Sequence, residues 1–227
     1  MSAAGQVPRG SGGVSPRSLS LVGIVPAAGG GERLGAGGPK AFVPCAGRPL
    51  LDWSLDVLGA VCERVVVAVP PGHERPPDRV TGGASRSASV RNALRAAPEA
   101  TVAVVHDAAR PLLTRELLER CVTALEDADG AVAAVPVTDT IHSVGPDSAI
   151  ESTPPRSSLW AAQTPQVFRA ETLRRALEVD DEALAAATDD ASLVLAAGGR
   201  VRVVEAPATN IKVTTAADLR MVESALC

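Results

Sequence analysis

Aromatic side chains are almost missing from this chain: they make up 2% of its 227 residues, and tyrosine is absent. A core without them must be built from Ala, Val and Leu, which an apolar content of 46% allows. Surfaces that bind single-stranded nucleic acid use aromatic platforms for base stacking. Their scarcity, a net charge of −4 and the lack of an extended basic patch exclude nucleic acid as a partner. There is no basic membrane-surface helix and no apolar run of membrane-spanning length. Cys45, Cys62, Cys121 and Cys227 form no Cys-x-x-Cys pair and the three histidines are scattered, so no zinc site is encoded. Reduced thiols and a cytoplasmic location are the expectation. Residues 1–18 are rich in Gly, Ser and Pro without the apolar centre of a secretion signal, and read as a disordered leader before a single domain at 19–227.

Lysine is the second scarcity. Of 22 basic residues, only Lys40 and Lys212 are lysines. In a chain this biased towards Arg, a retained lysine points to a need for its compact ammonium, which can follow a phosphate oxygen during reaction.

What is abundant is glycine, above all in residues 21–40, LVGIVPAAGGGERLGAGGPK. An apolar run ends at Pro26 and feeds a loop that contains Arg33 and closes on Lys40. Glycines let a backbone approach an anion closely, and two cations in one such loop suit more than one phosphate. The loop is neither a P-loop, because Lys40 follows Pro39 and precedes Ala41, nor a dinucleotide fingerprint, because Leu34 occupies the third glycine slot.

Further apolar runs read as buried strands at Val65–Val69, Val102–Val105, Ala131–Val137 and Val201–Val204. Helices fit a segment opened by Pro49 with Leu51, Leu55 and Leu58 at helical spacing, the stretch after Ser85–Ser89, a Thr114-capped segment, 172–179, a Thr188-capped segment at 191–197, and a last helix from Thr214. This alternation predicts an α/β fold: a mostly parallel sheet with helices on both faces. Residues 141–156 are alternating and turn-rich and read as a β-hairpin, too small to stand alone and suited to lean on a second copy of the chain. His106-Asp107-Ala108-Ala109-Arg110 follows a parallel strand, where open α/β sheets place ligands. The Gly82-Gly83 turn either binds an anion or base edge or simply precedes a serine-capped helix. Arg33, Lys40, Asp107, Arg110 and Lys212 on one sheet edge suit a polyphosphate with a divalent metal.

Seven segments together resemble the 2-C-methyl-D-erythritol 4-phosphate cytidylyltransferases of non-mevalonate isoprenoid synthesis: PAAGGGERLGAGGPK (26–40), GGASRSASV (82–90), VHDAARP (105–111), PVTDT (136–140), LWAAQTPQ (159–166), TDDAS (188–192) and NIKVT (210–214). The resemblance implies a Rossmann-like nucleotidyltransferase, with a mostly parallel twisted sheet and a protruding β-arm at about 138–157, that moves CMP from CTP to the polyol phosphate with Mg²⁺, as a homodimer through that arm. It implies catalytic roles for Arg33, Lys40 and Lys212, and a metal and substrate role for Asp107. Arg110, Thr140 and Arg156 fall at substrate positions, with Arg156 crossing the dimer. Ala27, Ala28, Gly83, Ala84 and Ser89 fall at the cytosine pocket, and Pro26 and Gly29 at the ribose. Members often carry acidic residues where this chain has Ala84 and Ser85; backbone contacts to cytosine survive that difference and side-chain contacts do not. The alternatives are a cytidylyltransferase for another polyol phosphate, such as ribitol 5-phosphate, and a non-catalytic nucleotide-binding regulator. The regulator need not retain both lysines. A related glycosyltransferase would want an Asp-x-Asp metal motif, which is absent.

Overall fold

The computed structural model describes residues 19–30 and 38–227. The leader and Arg33 lie outside the described residues.

The chain opens with β1 (Leu21–Pro26). A short hairpin, β2 (Pro44–Cys45) and β3 (Arg48–Pro49), leads into α1 (Leu50–Gly59). Pro49 sits one residue before that helix, where its missing N–H is harmless. Next come β4 (Arg64–Val69), β5 (Arg79–Thr81), α2 (Arg86–Arg95), β6 (Val102–Val105) and α3 (Arg115–Thr123). Thr114 caps α3 as expected, accepting from Leu117 N at 3.2 Å. After β7 (Gly130–Pro136) comes a separate antiparallel pair, β8 (Ser143–Val144) and β9 (Ile150–Ser152). The rest is β10 (Trp160–Arg169), α4 (Ala170–Ala176), α5 (Asp181–Ala186), α6 (Asp190–Ala196), β11 (Val201–Glu205) and α7 (Ala216–Leu226).

Among the described residues, seven strands form one sheet in the order β5-β4-β1-β6-β10-β7-β11. Pairing is parallel except on both sides of β10, which runs antiparallel to β6 and β7. Both faces are covered, so the strands read as continuous apolar runs. Val22 and Ile24 pack with α2, α4 and α6 on one face, while Val25 packs with α1 and α3 on the other. No described helix is long and apolar enough to cross a membrane.

Several elements depart from the sequence reading: α5 has no counterpart there, α7 is capped by Thr215 rather than begun at Thr214, and two more bear on the site. The first is β10, a ten-residue strand that contains Pro165. Its register against β7 slips between Ala162 and Gln166, which face Ala134 and Val132. The slip takes Pro165 out of the ladder, where its missing donor is not needed. The second is α6, capped by Asp189 rather than Thr188, with the carboxylate accepting from Ser192 N at 2.8 Å.

The chain runs outward from β1 to β4 and β5, then returns to β6 on the other side of β1. This reversal leaves a crevice at the carboxyl ends of β1 and β6.

Candidate active site

A cavity of about 660 Å³ opens at that crevice. The exit of β1 supplies Pro26, Ala27, Ala28 and Gly29 to its wall, and the short 3-10 turn Lys40–Phe42 supplies Lys40. The turn before α2 adds Gly83 and Ala84, α2 itself adds Ser89, the exit of β6 adds Asp107, and the segment before α7 adds Lys212. Ten predicted residues, spread over most of the chain, therefore meet in one place. Arg110, Thr140 and Arg156 do not line the cavity. Thr140 and Arg156 are exposed at the base of the arm, where Arg156 Nη1 donates to the Thr138 carbonyl at 2.7 Å.

Glycine has two uses in this wall. At Gly29 and Gly30 an added Cβ would meet nothing within 4 Å, and neither shows a positive φ; a side chain there would project into open space. The Gly82-Gly83 pair is different. A Cβ on Gly82 would lie 2.4 Å from Ala28 Cβ, and one on Gly83 would lie 2.5 Å from Ala88 Cβ. These two positions are glycine because the β1 exit and the first turn of α2 press against them. The turn is internally bonded: Gly83 N donates to Ser89 Oγ at 3.0 Å, Ser89 Oγ donates to Ser85 O at 3.0 Å, and Ser85 Oγ caps α2 through Ala88 N at 3.1 Å. The capped-helix reading of this turn is realised.

Opposite this wall lies the charged centre. Asp107 is 8% exposed and gives one oxygen to each of two cations. Lys212 Nζ is 2.6 Å from Oδ2, and Arg86 Nε is 3.1 Å from Oδ1. Arg86 Nη1 also meets Asp190 Oδ2 at 2.5 Å. Burial alone would raise the Asp107 carboxyl, but Arg86 and Lys212 outweigh it and hold it below the usual carboxylate range. Burial pushes the Asp190 carboxyl up, and Arg86 offsets part of that. For Arg86, burial disfavours the charge, and the two carboxylates more than restore it. The sequence singled out neither Arg86 nor Asp190. They stand 104 residues apart, and no spacing rule pairs them.

Beneath Asp107 runs a buried polar network. The Arg110 carbonyl only accepts, so His106 Nε2, 3.1 Å away, carries the ring proton. Nδ1 therefore accepts from the Thr164 hydroxyl at 3.1 Å, and that hydroxyl accepts from Asp107 N at 3.1 Å. Burial lowers the His106 pKa to about 4, so the ring is neutral at pH 7. Arg110 Nη1 donates to the Asn210 carbonyl at 2.6 Å, and Asn210 Nδ2 donates to Thr164 O at 2.9 Å and Gln163 Oε1 at 2.8 Å. Val213 N donates to Ala109 O at 2.8 Å, and Thr214 Oγ1 to Asp218 Oδ2 at 2.6 Å. Lys212 thus rides on backbone pinned on both sides. The slip in β10 that places Thr164 here was not anticipated from sequence.

Among the described residues, no group of three or more His, Cys, Asp or Glu side chains is placed to hold a metal. Cys45, Cys62 and Cys121 are buried free thiols and Cys227 is an exposed one. Burial pushes the Cys62 and Cys121 thiols up to about 12, which keeps them unreactive.

A doubly wound sheet with two lysines and a carboxylate at its switch point, beside a pocket of small residues and turn backbone, is the arrangement of a nucleotidyltransferase. Comparison with known proteins narrows this class. The family model for 2-C-methyl-D-erythritol 4-phosphate cytidylyltransferase matches residues 21–227. The enzyme of that name from Synechococcus elongatus is 41% identical over 216 residues, covering 88% of this chain and 93% of the relative. Its namesake from Nocardia farcinica is 43% identical over 220 residues, covering 91% and 94%. The crystal structure of the Thermus thermophilus enzyme superposes with a TM-score of 0.77 at 37% identity, covering 91% of this chain and 98% of that one. The chain belongs to the 2-C-methyl-D-erythritol 4-phosphate cytidylyltransferase family.

Proposed function

We infer that the chain transfers CMP from CTP to 2-C-methyl-D-erythritol 4-phosphate, giving 4-diphosphocytidyl-2-C-methyl-D-erythritol and pyrophosphate. The observation that carries this is the family match over 21–227 together with a cavity that gathers the motif residues. A phosphate oxygen of the polyol phosphate attacks the α-phosphorus of CTP in line. The bond from that phosphorus to the bridging oxygen breaks, and pyrophosphate leaves with the electron pair. No covalent enzyme intermediate is needed, so catalysis is positioning and charge neutralisation.

In this reading the base lies against Ala27, Ala28, Gly83, Ala84 and Ser89, and the ribose against Pro26 and Gly29. Ser89 already accepts from Gly83 and donates to Ser85, so its role is to shape the pocket. Arg33 and Lys40 hold the triphosphate, and Lys212 stabilises charge at the α-phosphate. Asp107 fits a divalent cation: it is an ionised carboxylate on the cavity wall, and Mg²⁺ typically takes one or two carboxylates and draws its other ligands from phosphate and water. Such an ion, when bound, would supply further neutralisation of the phosphates. Arg110 contributes from behind by holding the carbonyl of Asn210. Thr140 and Arg156 meet the polyol phosphate across a homodimer.

The test is a pyrophosphate-release assay with CTP, Mg²⁺ and a panel of polyol phosphates, run on the wild type and on Lys40→Ala and Lys212→Ala. Release should require CTP and methylerythritol phosphate together, and each lysine variant should lose roughly 100- to 1,000-fold in kcat while remaining folded. Equal or faster turnover of ribitol 5-phosphate would refute the substrate assignment. A near-normal rate in either variant would remove that lysine from the mechanism.

A further inference from the structure

We propose that Arg86, anchored by Asp190, is the positioning residue of the reacting centre: it fixes one oxygen of Asp107 so that Lys212 can leave the other oxygen for the nucleotide phosphates without the carboxylate following it.

The two cations on Asp107 are not equivalent. Lys212 reaches Oδ2 through a flexible side chain that is 40% exposed. Its ammonium can exchange a carboxylate oxygen for a phosphate oxygen while staying in contact with water. Arg86 holds Oδ1 through Nε and at the same time holds Asp190 through Nη1. Asp190 is 0% exposed, Arg86 holds its Oδ2, and its Oδ1 has no hydrogen-bond partner. Moving Arg86 away would leave a buried carboxylate unpaired, a strongly unfavourable state. The Arg86 arm is therefore fixed and the Lys212 arm exchangeable.

The anchor is itself braced. Asp190 starts α6, and Gln166 ties the beginning of that helix to β10: Gln166 Nε2 donates to Asp189 Oδ2 at 2.8 Å, and Gln166 Oε1 accepts from Ala191 N at 3.3 Å. Arg86 starts α2, directly after the Gly83–Ser85 turn that walls the cavity. One guanidinium thus links the proposed base pocket, the strand-exit carboxylate and a helix from the distant end of the chain. A lysine at 86 has no planar fork and would not span two carboxylates. In the ligand-free centre Lys212 and Arg86 share the Asp107 carboxylate between them. Transfer of Lys212 to phosphate is the step that turns the centre towards catalysis.

This rests on Asp107 and Lys212 belonging to the reacting centre, which Asp107→Asn tests separately. The experiment measures kcat, KM for both substrates, equilibrium CTP binding and thermal unfolding for Asp190→Asn, Arg86→Gln, Arg86→Lys, the Arg86→Gln/Asp190→Asn pair, and Asp107→Asn. Asp190 does not line the cavity, so Asp190→Asn should lower kcat roughly 10- to 100-fold and leave CTP binding within about threefold. The double variant should be no worse than Arg86→Gln by more than about twofold, because both act through one contact. It also removes both charges, so it reports on the centre if Arg86→Gln alone fails to fold. Arg86→Lys should fold and lose roughly tenfold in kcat. Wild-type kcat in Asp190→Asn or Arg86→Lys, losses that multiply in the double variant, or losses that only track unfolded protein would overturn the proposal. If Asp107→Asn retains wild-type kcat, the placement of the reacting centre fails. If Asp107→Asn is inactive while Asp190→Asn is normal, only the positioning role fails.

Discussion

His106 faces away from the chemistry, yet it records how the carboxylate beside it is held. The ring is wholly buried between the Thr164 hydroxyl and the Arg110 carbonyl, with every polar atom committed. Protonating it would turn Nδ1 from acceptor to donor, reverse its hydrogen bond with Thr164 and leave the hydroxyl proton without that acceptor. The folded-state pKa of about 4 lies below the ordinary histidine value of 6.5, because burial disfavours the charged ring. The unfolded chain therefore takes up a proton that the folded chain refuses. This contribution to stability is complete above about pH 6.5 and is lost as pH falls towards 4, with a span of about 3 kcal/mol. Asp107 acts next: its depressed carboxyl adds a further loss below the normal carboxylate range. Urea unfolding of the ligand-free protein at a series of pH values should show this slope, and His106→Asn should flatten it between pH 6.5 and 4. An unchanged slope in that variant would show that the pH dependence arises elsewhere.

At the scale of elements, the strand-exit loops and the start of α2 determine the shape of the cavity. Gly83 is pressed by backbone as well as by a side chain: an added Cβ would lie 2.7 Å from the carbonyl carbon of Ala88 and 2.5 Å from its Cβ. Backbone cannot swing aside as a side-chain tip does, so the turn itself must move. Gly83→Ala should raise KM for CTP roughly tenfold or more and cost about 1–3 kcal/mol in stability. Wild-type values for both would mean that the turn adapts without consequence. Much of this architecture was legible in the chain. Buried parallel strands announce themselves as apolar runs, and β6 falls on the predicted residues. The Thr114 cap and the hairpin of β8 and β9 follow from local rules of the same kind. What was hidden depends on distant partners. Strand β10 carries a proline and alternates poorly, and only its slip against β7 explains how it fits. The cap of α6 falls at Asp189 rather than Thr188, two adjacent residues that are both good caps. Lys212 could be singled out because lysine is rare here, whereas Arg86 is one arginine among twenty.

At the scale of the whole molecule, the arm is the part that one copy leaves without a purpose. Ile141, Val144 and Ile150 are exposed on a two-stranded hairpin with no core of its own. Arg156 and Thr140 stand outside the cavity of their own chain. A C2 dimer that exchanges arms would cover the apolar residues and carry Arg156 to the other copy's polyol phosphate. Such an interface is self-complementary and forms two equivalent sites, each built from both chains. Light scattering at assay concentration should report a dimer, and Arg156→Ala should raise KM for the polyol phosphate more than KM for CTP. Complementation separates a cross-subunit role from one within a single chain. Assayed at polyol phosphate far below the raised KM of Arg156→Ala, that variant and Lys212→Ala are each expected to be nearly inactive alone. If Arg156 acts across the interface, a mixed dimer has one site with both defects and one with neither. Random assortment of equal amounts then restores about a quarter of wild-type activity. If Arg156 serves its own chain, every site in the mixture carries one defect and co-expression restores nothing. A fully active monomer, or the absence of any rescue from dimers shown to have mixed, would place Arg156 outside the neighbouring site and leave the exposed arm without this explanation.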